Sequence, residues 1–198
     1  MTVNKGQLTA VQDDVVDILH AQHQRIQDVI GRTLAAAGRE KRELFEGLVR
    51  LMAVHEVAEE ELVHPLARRE LGEQRQVVDE RLHEERQLKR ALADLYELGT
   101  DHPEFDDRLT RLGEAARAHA EHEERDELPH VRQALATKNL QRLASIVLGV
   151  ERDTAPTRPH PNLPTSAAVN LLIGPPISVF DRVRDAMRNV RQSIEQLR

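Results

Sequence analysis

The chain has no cysteine and no tryptophan, and aromatic residues make up 2% of it. Absent cysteine, there is no disulfide scaffold, no thiolate zinc site, no iron–sulfur cluster and no thiol nucleophile. Nowhere does an apolar run approach the roughly 20 residues that cross a bilayer. A net charge of −6 over 198 residues speaks against a general nucleic-acid binder. The opening stretch, MTVNKGQLTAVQDD, has no apolar segment of the signal-peptide type, so a soluble cytoplasmic protein is the expectation. Glycine, the commonest helix breaker beside proline, occurs only nine times. What is abundant is Ala, Leu, Arg and Glu, all residues that favour helices, together with ten histidines.

Periodicity carries the helical reading further. Val16, Leu19, His23, Ile26 and Ile30 recur at three- and four-residue spacing, one face of a helix, with Asp13 and Asp14 at its start and Gly38 after its end. A second segment from about Glu40 carries Leu44, Leu48, Leu51, Ala58 and Leu62, runs to Leu71-Gly72, and is expected to bend or stop near Pro65. A third, from about residue 73 to Leu98, lines up Val78, Leu82, Leu88, Leu92 and Leu95. After the break at Gly99–Pro103 a fourth runs to Leu128-Pro129, with Pro103 suited to its first turn. Four such helices joined by short connections predict an all-α protein built on an up-down-up-down four-helix bundle, with additional C-terminal helices. The expected organisation is an N-terminal segment over 1–12, the bundle over 13–130 and an additional helix over 131–151.

The stretch over 152–176 holds most of the nine prolines and reads as a linker or strap. The last segment, 177–198, places Phe180, Val183, Met187, Val190, Ile194 and Leu197 on one stripe, with Arg182, Arg184, Arg188 and Arg191 off it. Such an amphipathic face docks back on the bundle, on a second subunit as a homodimer, or on a partner.

Two stretches repeat. HEVAEEELVHP runs from His55 to Pro65 and HAEHEERDELP from His119 to Pro129. Each has a His, a Glu four residues later and a Pro ten residues after the His, at a constant offset of 64. Residues i and i+4 share a helix face, so each His-x-x-x-Glu aims an imidazole nitrogen and a carboxylate at one point. Two such helices facing one another can hold two cations, with Glu59 and Glu123 bridging and His55 and His119 binding one each. Divalent first-row metals accept this donor mix. A single His or Glu on a helix is ordinarily a solvated surface residue, but the same register appearing twice argues for a constructed site.

Further ligands are expected from the first and third helices. His23 lies within the apolar stripe of the first, whereas His20 is rotated off it. On the third, Glu85 is in phase with Val78, Leu82, Leu88 and Leu92, while His83 is off the stripe. Glu85 is therefore the favoured ligand and His83 the alternative. Glu56 and His122 rank second, as ligands or as groups that orient one. His64, His102, His130 and His160 fall at helix ends or in loops and are read as ordinary surface residues.

With His23 in LHAQHQRI, His55 and Glu59 in HEVAEEELVHP, and His119 and Glu123 in HAEHEERDELP, the chain resembles the hemerythrin-like (HHE cation-binding) family. That family's pattern is His, His-x-x-x-Glu, His, His-x-x-x-Glu across a four-helix bundle. The resemblance covers roughly residues 13–130, and the tail looks like an extension found in longer bacterial members. It implies a non-haem di-iron centre held by His23, His55, Glu59, Glu85, His119 and Glu123, with manganese or zinc as other metals and an oxo or hydroxo group completing the bridge. It also implies a small ligand: dioxygen, hydrogen peroxide or nitric oxide. The departure is Glu85, where the family has a His. A carboxylate adds negative charge and hard-oxygen character, which favours oxidised metal and redox turnover over reversible oxygen carriage. Catalase-like peroxide handling is thus the expected role. The rival readings are a sensor signalling through the C-terminal helix and a metal-free helical interaction protein.

Overall fold

A computed structural model describes residues 13–72, 76–154, 181 and 183–185. The protein is all-α, and no strand occurs among the described residues. Over residues 15–154 the α-helices follow in order: α1 Val15–Ala35, α2 Gly38–Ala58, α3 His64–Leu71, α4 Gln76–Leu98, α5 Phe105–Asp126, α6 Leu128–Ala134 and α7 Thr137–Thr154. Between α2 and α3 the five residues Glu59–Val63 form a π-helical turn.

Local sequence sets the ends of these elements. Asp14 caps α1, accepting hydrogen bonds from the Val16 and Asp17 amides at 2.9 and 3.1 Å, and the Asp17 carboxylate accepts one from the Asp14 amide. This reciprocal box satisfies donors that would otherwise face solvent unpaired. Gly99 ends α4 with a φ of +81°, a conformation that costs glycine little. Pro103 does not open the next helix as expected. It lies in the turn before α5, which starts at Phe105 after the N-cap residue Glu104. The single helix expected over 131–151 is two, α6 and α7, broken at Leu135 and Ala136.

The apolar stripes read from the sequence are the ones that pack. Leu19, Ile26 and Ile30 of α1, Leu48 and Leu51 of α2, and Val78, Leu88, Leu92 and Leu95 of α4 are buried, whereas Leu44 and Leu82 are partly so. Met52 of α2 and Leu109 and Leu112 of α5, not among those stripes, are buried with them. Helix α1 lies against α2, α5 and α7, and α4 lies against α5. The short helices α3 and α6, each following one copy of the repeat, pack on one another. Near the starts of α2 and α5, Phe45 and Phe105 meet edge to face with centroids 5.0 Å apart. At Gly113 the α1–α5 approach is close: a Cβ there would stand 3.2 Å from Cγ2 of Ile30. Helix α7 covers α1 and α2 with Leu140, Ala144, Val147 and Val150, another three/four stripe.

Of the segment expected over 177–198, only residues 181 and 183–185 are described. Val183 is buried in the main core, and the Arg184 guanidinium pairs with Glu60 at 2.6 Å. At that point the segment contacts its own chain. The expected strap over 152–176 lies, beyond its first three residues, outside the described residues, as does His160.

Candidate metal centre

Three of the long helices, α1, α4 and α5, and the long α2 with its π turn each send a polar side chain into an otherwise apolar interior. Helix α1 supplies His23, α2 supplies His55, the π turn Glu59, α4 Glu85, and α5 both His119 and Glu123. All six are buried. They form two overlapping groups. His23, His55, Glu59 and Glu123 each offer a ligand atom within 4.8 Å of the others, and so do Glu59, Glu85, His119 and Glu123. Glu59 and Glu123 belong to both. Nε2 of His55 stands 3.2 Å from Glu59 Oε1, Nε2 of His23 is 3.2 Å from Glu123 Oε2, and Nε2 of His119 is 3.4 Å from Glu123 Oε1.

Both oxygens of Glu59, both oxygens of Glu123, and Nε2 of His23 and His119 have no hydrogen-bond partner among the described residues. Leaving one buried polar group unpaired costs about 1–3 kcal/mol, and more for a charge. Six atoms without a hydrogen bond, gathered around two overlapping groups and touched only by the neighbouring imidazoles and carboxylates, carry a penalty that cations would remove. The donor set, imidazole nitrogen with carboxylate oxygen, is the one divalent first-row metals accept. The residues present fit such a group.

Each imidazole is also held from behind. Nδ1 of His23 bonds Glu124 at 2.8 Å, Nδ1 of His55 bonds Gln22 at 3.2 Å, and Nδ1 of His119 bonds Glu84 at 3.0 Å. An outer acceptor at Nδ1 fixes the ring and leaves Nε2 free as a lone-pair donor, the arrangement typical of metal-binding histidines. Glu84 is steadied in turn by Arg81 at 3.0 Å and by His122 at 3.0 Å. Gln22 hydrogen-bonds Glu151 of α7 at 3.1 Å.

The electrostatics record the crowding of acids. Burial pushes Glu59 well above the usual carboxylate range, and the neighbouring Glu123, Glu85 and Glu56 push it further. Burial and Glu85 raise Glu56 to about 8. For Glu123 burial acts upward, but His119 and His23 outweigh it and hold the group below its ordinary value. Burial, then His23, pushes His55 well below the ordinary histidine range, so it stays neutral. For His119 burial acts downward, yet Glu123 and Glu84 prevail and raise it to about 9. Two carboxylates this close and this dry do not both ionise unless positive charge joins them.

Comparison with known proteins agrees with this geometry. The hemerythrin HHE cation binding domain matches residues 14–131. The chain belongs to the hemerythrin HHE cation-binding family. An uncharacterized hemerythrin-like protein of Schizosaccharomyces pombe (strain 972 / ATCC 24843) is 26% identical over 137 residues, spanning 69% of this chain and 67% of that one. The crystal structure of a hemerythrin HHE cation binding domain-containing protein from Mycobacterium kansasii superposes with a TM-score of 0.61 at 21% identity. It covers 71% of this chain and 86% of the other. At that identity the likeness speaks for the fold.

Within this HHE domain the other sequence candidates fall in different places. His83 is exposed on α4, hydrogen-bonded to Gln87 at 2.8 Å, and belongs to neither group. Its phase is two residues from that of the inward Glu85, which turns it to solvent. His122 touches the site only through Glu84. Glu56 is buried beside the centre, 3.8 Å from the Lys89 ammonium, and belongs to neither group. His20 meets Glu124 at 3.0 Å at the periphery. His102 and His130 are exposed.

The largest correction is His64. Read as a surface residue at a helix end, it is 3% exposed and bonded on both sides by buried carboxylates. Its Nδ1 meets Glu127 at 2.6 Å and its Nε2 meets Glu85 in a very short contact. Burial disfavours its charged form, but Glu127 and Glu85 more than compensate and raise it well above the ordinary value. The signal available in the sequence was the recurrence of Glu at Glu123 and Glu127, one turn apart. Pro65 marked an irregularity here, but not the extra residue of the π turn that brings His64 inward.

Proposed function

We propose that this HHE domain binds two iron ions, with an oxo or hydroxo group as a further bridge, and that its role in the cytoplasm is to break down hydrogen peroxide. The carrying observation is that two four-residue groups share Glu59 and Glu123, whose four carboxylate oxygens are buried and accept no hydrogen bond. His23 and His55 would hold one ion, Glu85 and His119 the other. Such a pair supplies a two-electron redox couple, enough to convert two molecules of peroxide into two of water and one of dioxygen without an outside reductant. The residues fix ring orientation through Glu124, Gln22 and Glu84, and the apolar core around them limits water. Glu85 in place of a fourth imidazole favours turnover over reversible oxygen carriage. Iron-loaded protein is expected to consume peroxide well above the rate of the same iron free in buffer. A stable, reversible oxygen adduct with no peroxide activity would contradict this role.

A sensing role has one specific observation in its favour. Arg184 pairs with Glu60, Glu60 with Lys89 at 2.6 Å, and Lys89 with Glu85 at 3.3 Å. The C-terminal segment is thus linked by charges to a proposed ligand, for dioxygen or nitric oxide as much as for peroxide. Ligand-dependent proteolysis within 152–176, without turnover, would favour this reading.

A further inference from the structure

Resting on the two-ion reading above, we propose that His64, anchored by Glu127, is the positioning residue that aims Glu85 into the centre. Three side chains from three places form one buried chain. Glu127, at the junction of α5 and α6, bonds Nδ1 of His64 at 2.6 Å, and Nε2 of His64 bonds Oε1 of Glu85. Glu85 and Glu127 have no exposure at all. Packing alone does not call for such a chain, since apolar side chains of similar volume would fill the space at lower desolvation cost.

The backbone is built to deliver it. In an unbroken α-helix the residue in line with His55 and Glu59 is Val63. Here the amide of His64 bonds the carbonyl of Glu59, five residues back, so the turn holds one extra residue. The extra residue moves His64 toward the line that His55 and Glu59 define. Such π insertions are rare and cluster at functional sites. On the opposite helix there is no insertion. The Glu127 amide bonds the Glu123 carbonyl at 2.9 Å, and Glu127 follows Glu123 by one ordinary turn. The two halves of the repeat differ by one residue of winding, and that difference sets His64 against Glu127.

The chemistry explains the use. Glu85 is the one carboxylate that α4 contributes, on a side chain with more rotatable bonds than a histidine. The three histidines of the centre are each fixed by an acceptor behind the ring; a carboxylate needs donors instead. Glu85 has two, His64 at Oε1 and Lys89 at Oε2 at 3.3 Å. Lys89 is shared with Glu60 at 2.6 Å and sits on a flexible stem. His64 is rigid, sealed, and braced by Glu127 much as Glu124 braces His23. His64 also shares with Glu123 and Glu127 a spacing that could hold an ion, but with Nε2 on Glu85 and Nδ1 on Glu127 its proposed part is to orient a ligand.

The test uses the full chain stripped of metal and titrated with cobalt(II), which reports by its absorption bands, with far-ultraviolet circular dichroism confirming that each metal-free variant is folded. His64→Leu should leave the first cobalt bound and weaken the second by about 10–100-fold, the usual effect of losing an outer partner. His64→Gln, whose side-chain amide can reach the position of Nε2, should recover much of that loss. The double variant His64→Leu/Glu85→Ala should bind no more weakly than Glu85→Ala alone. Glu127→Gln, which keeps shape, should show a smaller loss that also vanishes in the Glu85→Ala background, and it serves if His64→Leu does not fold. Additive losses in the double variants, full affinity in His64→Leu, or no recovery in His64→Gln would overturn the proposal. Wild-type protein that binds no cobalt would remove the two-ion centre and this proposal with it. Two cobalt ions in wild type and in His64→Leu alike would remove this proposal alone.

Discussion

At the scale of single residues, the centre is a set of side chains whose metal-free state is strained by their own charge. Glu59 is fully buried, beside three other acids, with neither oxygen paired. Folding makes Glu59 hold a proton that an unfolded glutamate releases, so the neutral Glu59→Gln should make the metal-free protein more stable, by about 1–3 kcal/mol, while losing affinity for both ions. Thermal unfolding of the stripped protein, with and without added iron(II), checks both halves. The pH dependence has a defined sign. Glu56 keeps its proton up to about 8 in the folded chain, and Glu59 higher, whereas an unfolded glutamate releases it near its ordinary value. His119, raised to about 9, and the raised His64 also hold protons that the unfolded chain has lost. The folded state therefore binds more protons between neutral pH and about 9, and its stability falls as pH rises through that window. The melting temperature of metal-free protein should drop from pH 7 to 9, and the gain on adding metal should grow over the same range. A flat metal-free profile would show that these groups are not held as described.

At the scale of elements, the sequence carried the phase of each helix but not its winding. The stripe of Leu19, Ile26 and Ile30 pointed to the inward face of α1, and with it to His23. Glu85 was legible over His83 by phase alone, because a regular helix preserves phase for many residues. The same logic misplaced His64. Pro65 pointed to a bend or a stop at this place but not to a π turn just before it, which spends one extra residue and shifts every phase beyond Glu59. The break between α6 and α7 is likewise illegible, because Leu135 and Ala136 are good helix formers, yet Leu135 adopts extended backbone and ends the helix. Close approach of α1 and α5 rests on Gly113. Gly113→Leu should push against Ile30 and lower stability by about 1–3 kcal/mol, with the number of bound metal ions unchanged. A variant that melts like wild type would mean that α1 and α5 are not this close.

Across the whole molecule, the site draws on more than the HHE domain. Helix α7 lies beyond the matched residues 14–131, yet its Glu151 bonds Gln22, which holds His55, and also pairs with Arg25. Composition and spacing could not show this, since a contact between residues 22 and 151 leaves no local pattern. Glu151→Ala should weaken metal binding by up to about 10-fold, at the low end for loss of an outer contact, as read by competition with a chelator. Unchanged affinity would confine α7 to a packing role. The paired His-x-x-x-Glu motifs, by contrast, were legible because a 64-residue offset repeated both the His–Glu pairs and the prolines that follow them. The central claim is that four segments of the bundle converge on a pair of cations bridged by Glu59 and Glu123. Elemental analysis of protein purified without chelator tests it most directly: about two metal ions per chain are expected, lost together in Glu123→Ala. Near-zero metal in wild type, with no rise in melting temperature on adding iron(II), manganese(II) or zinc(II), would contradict it.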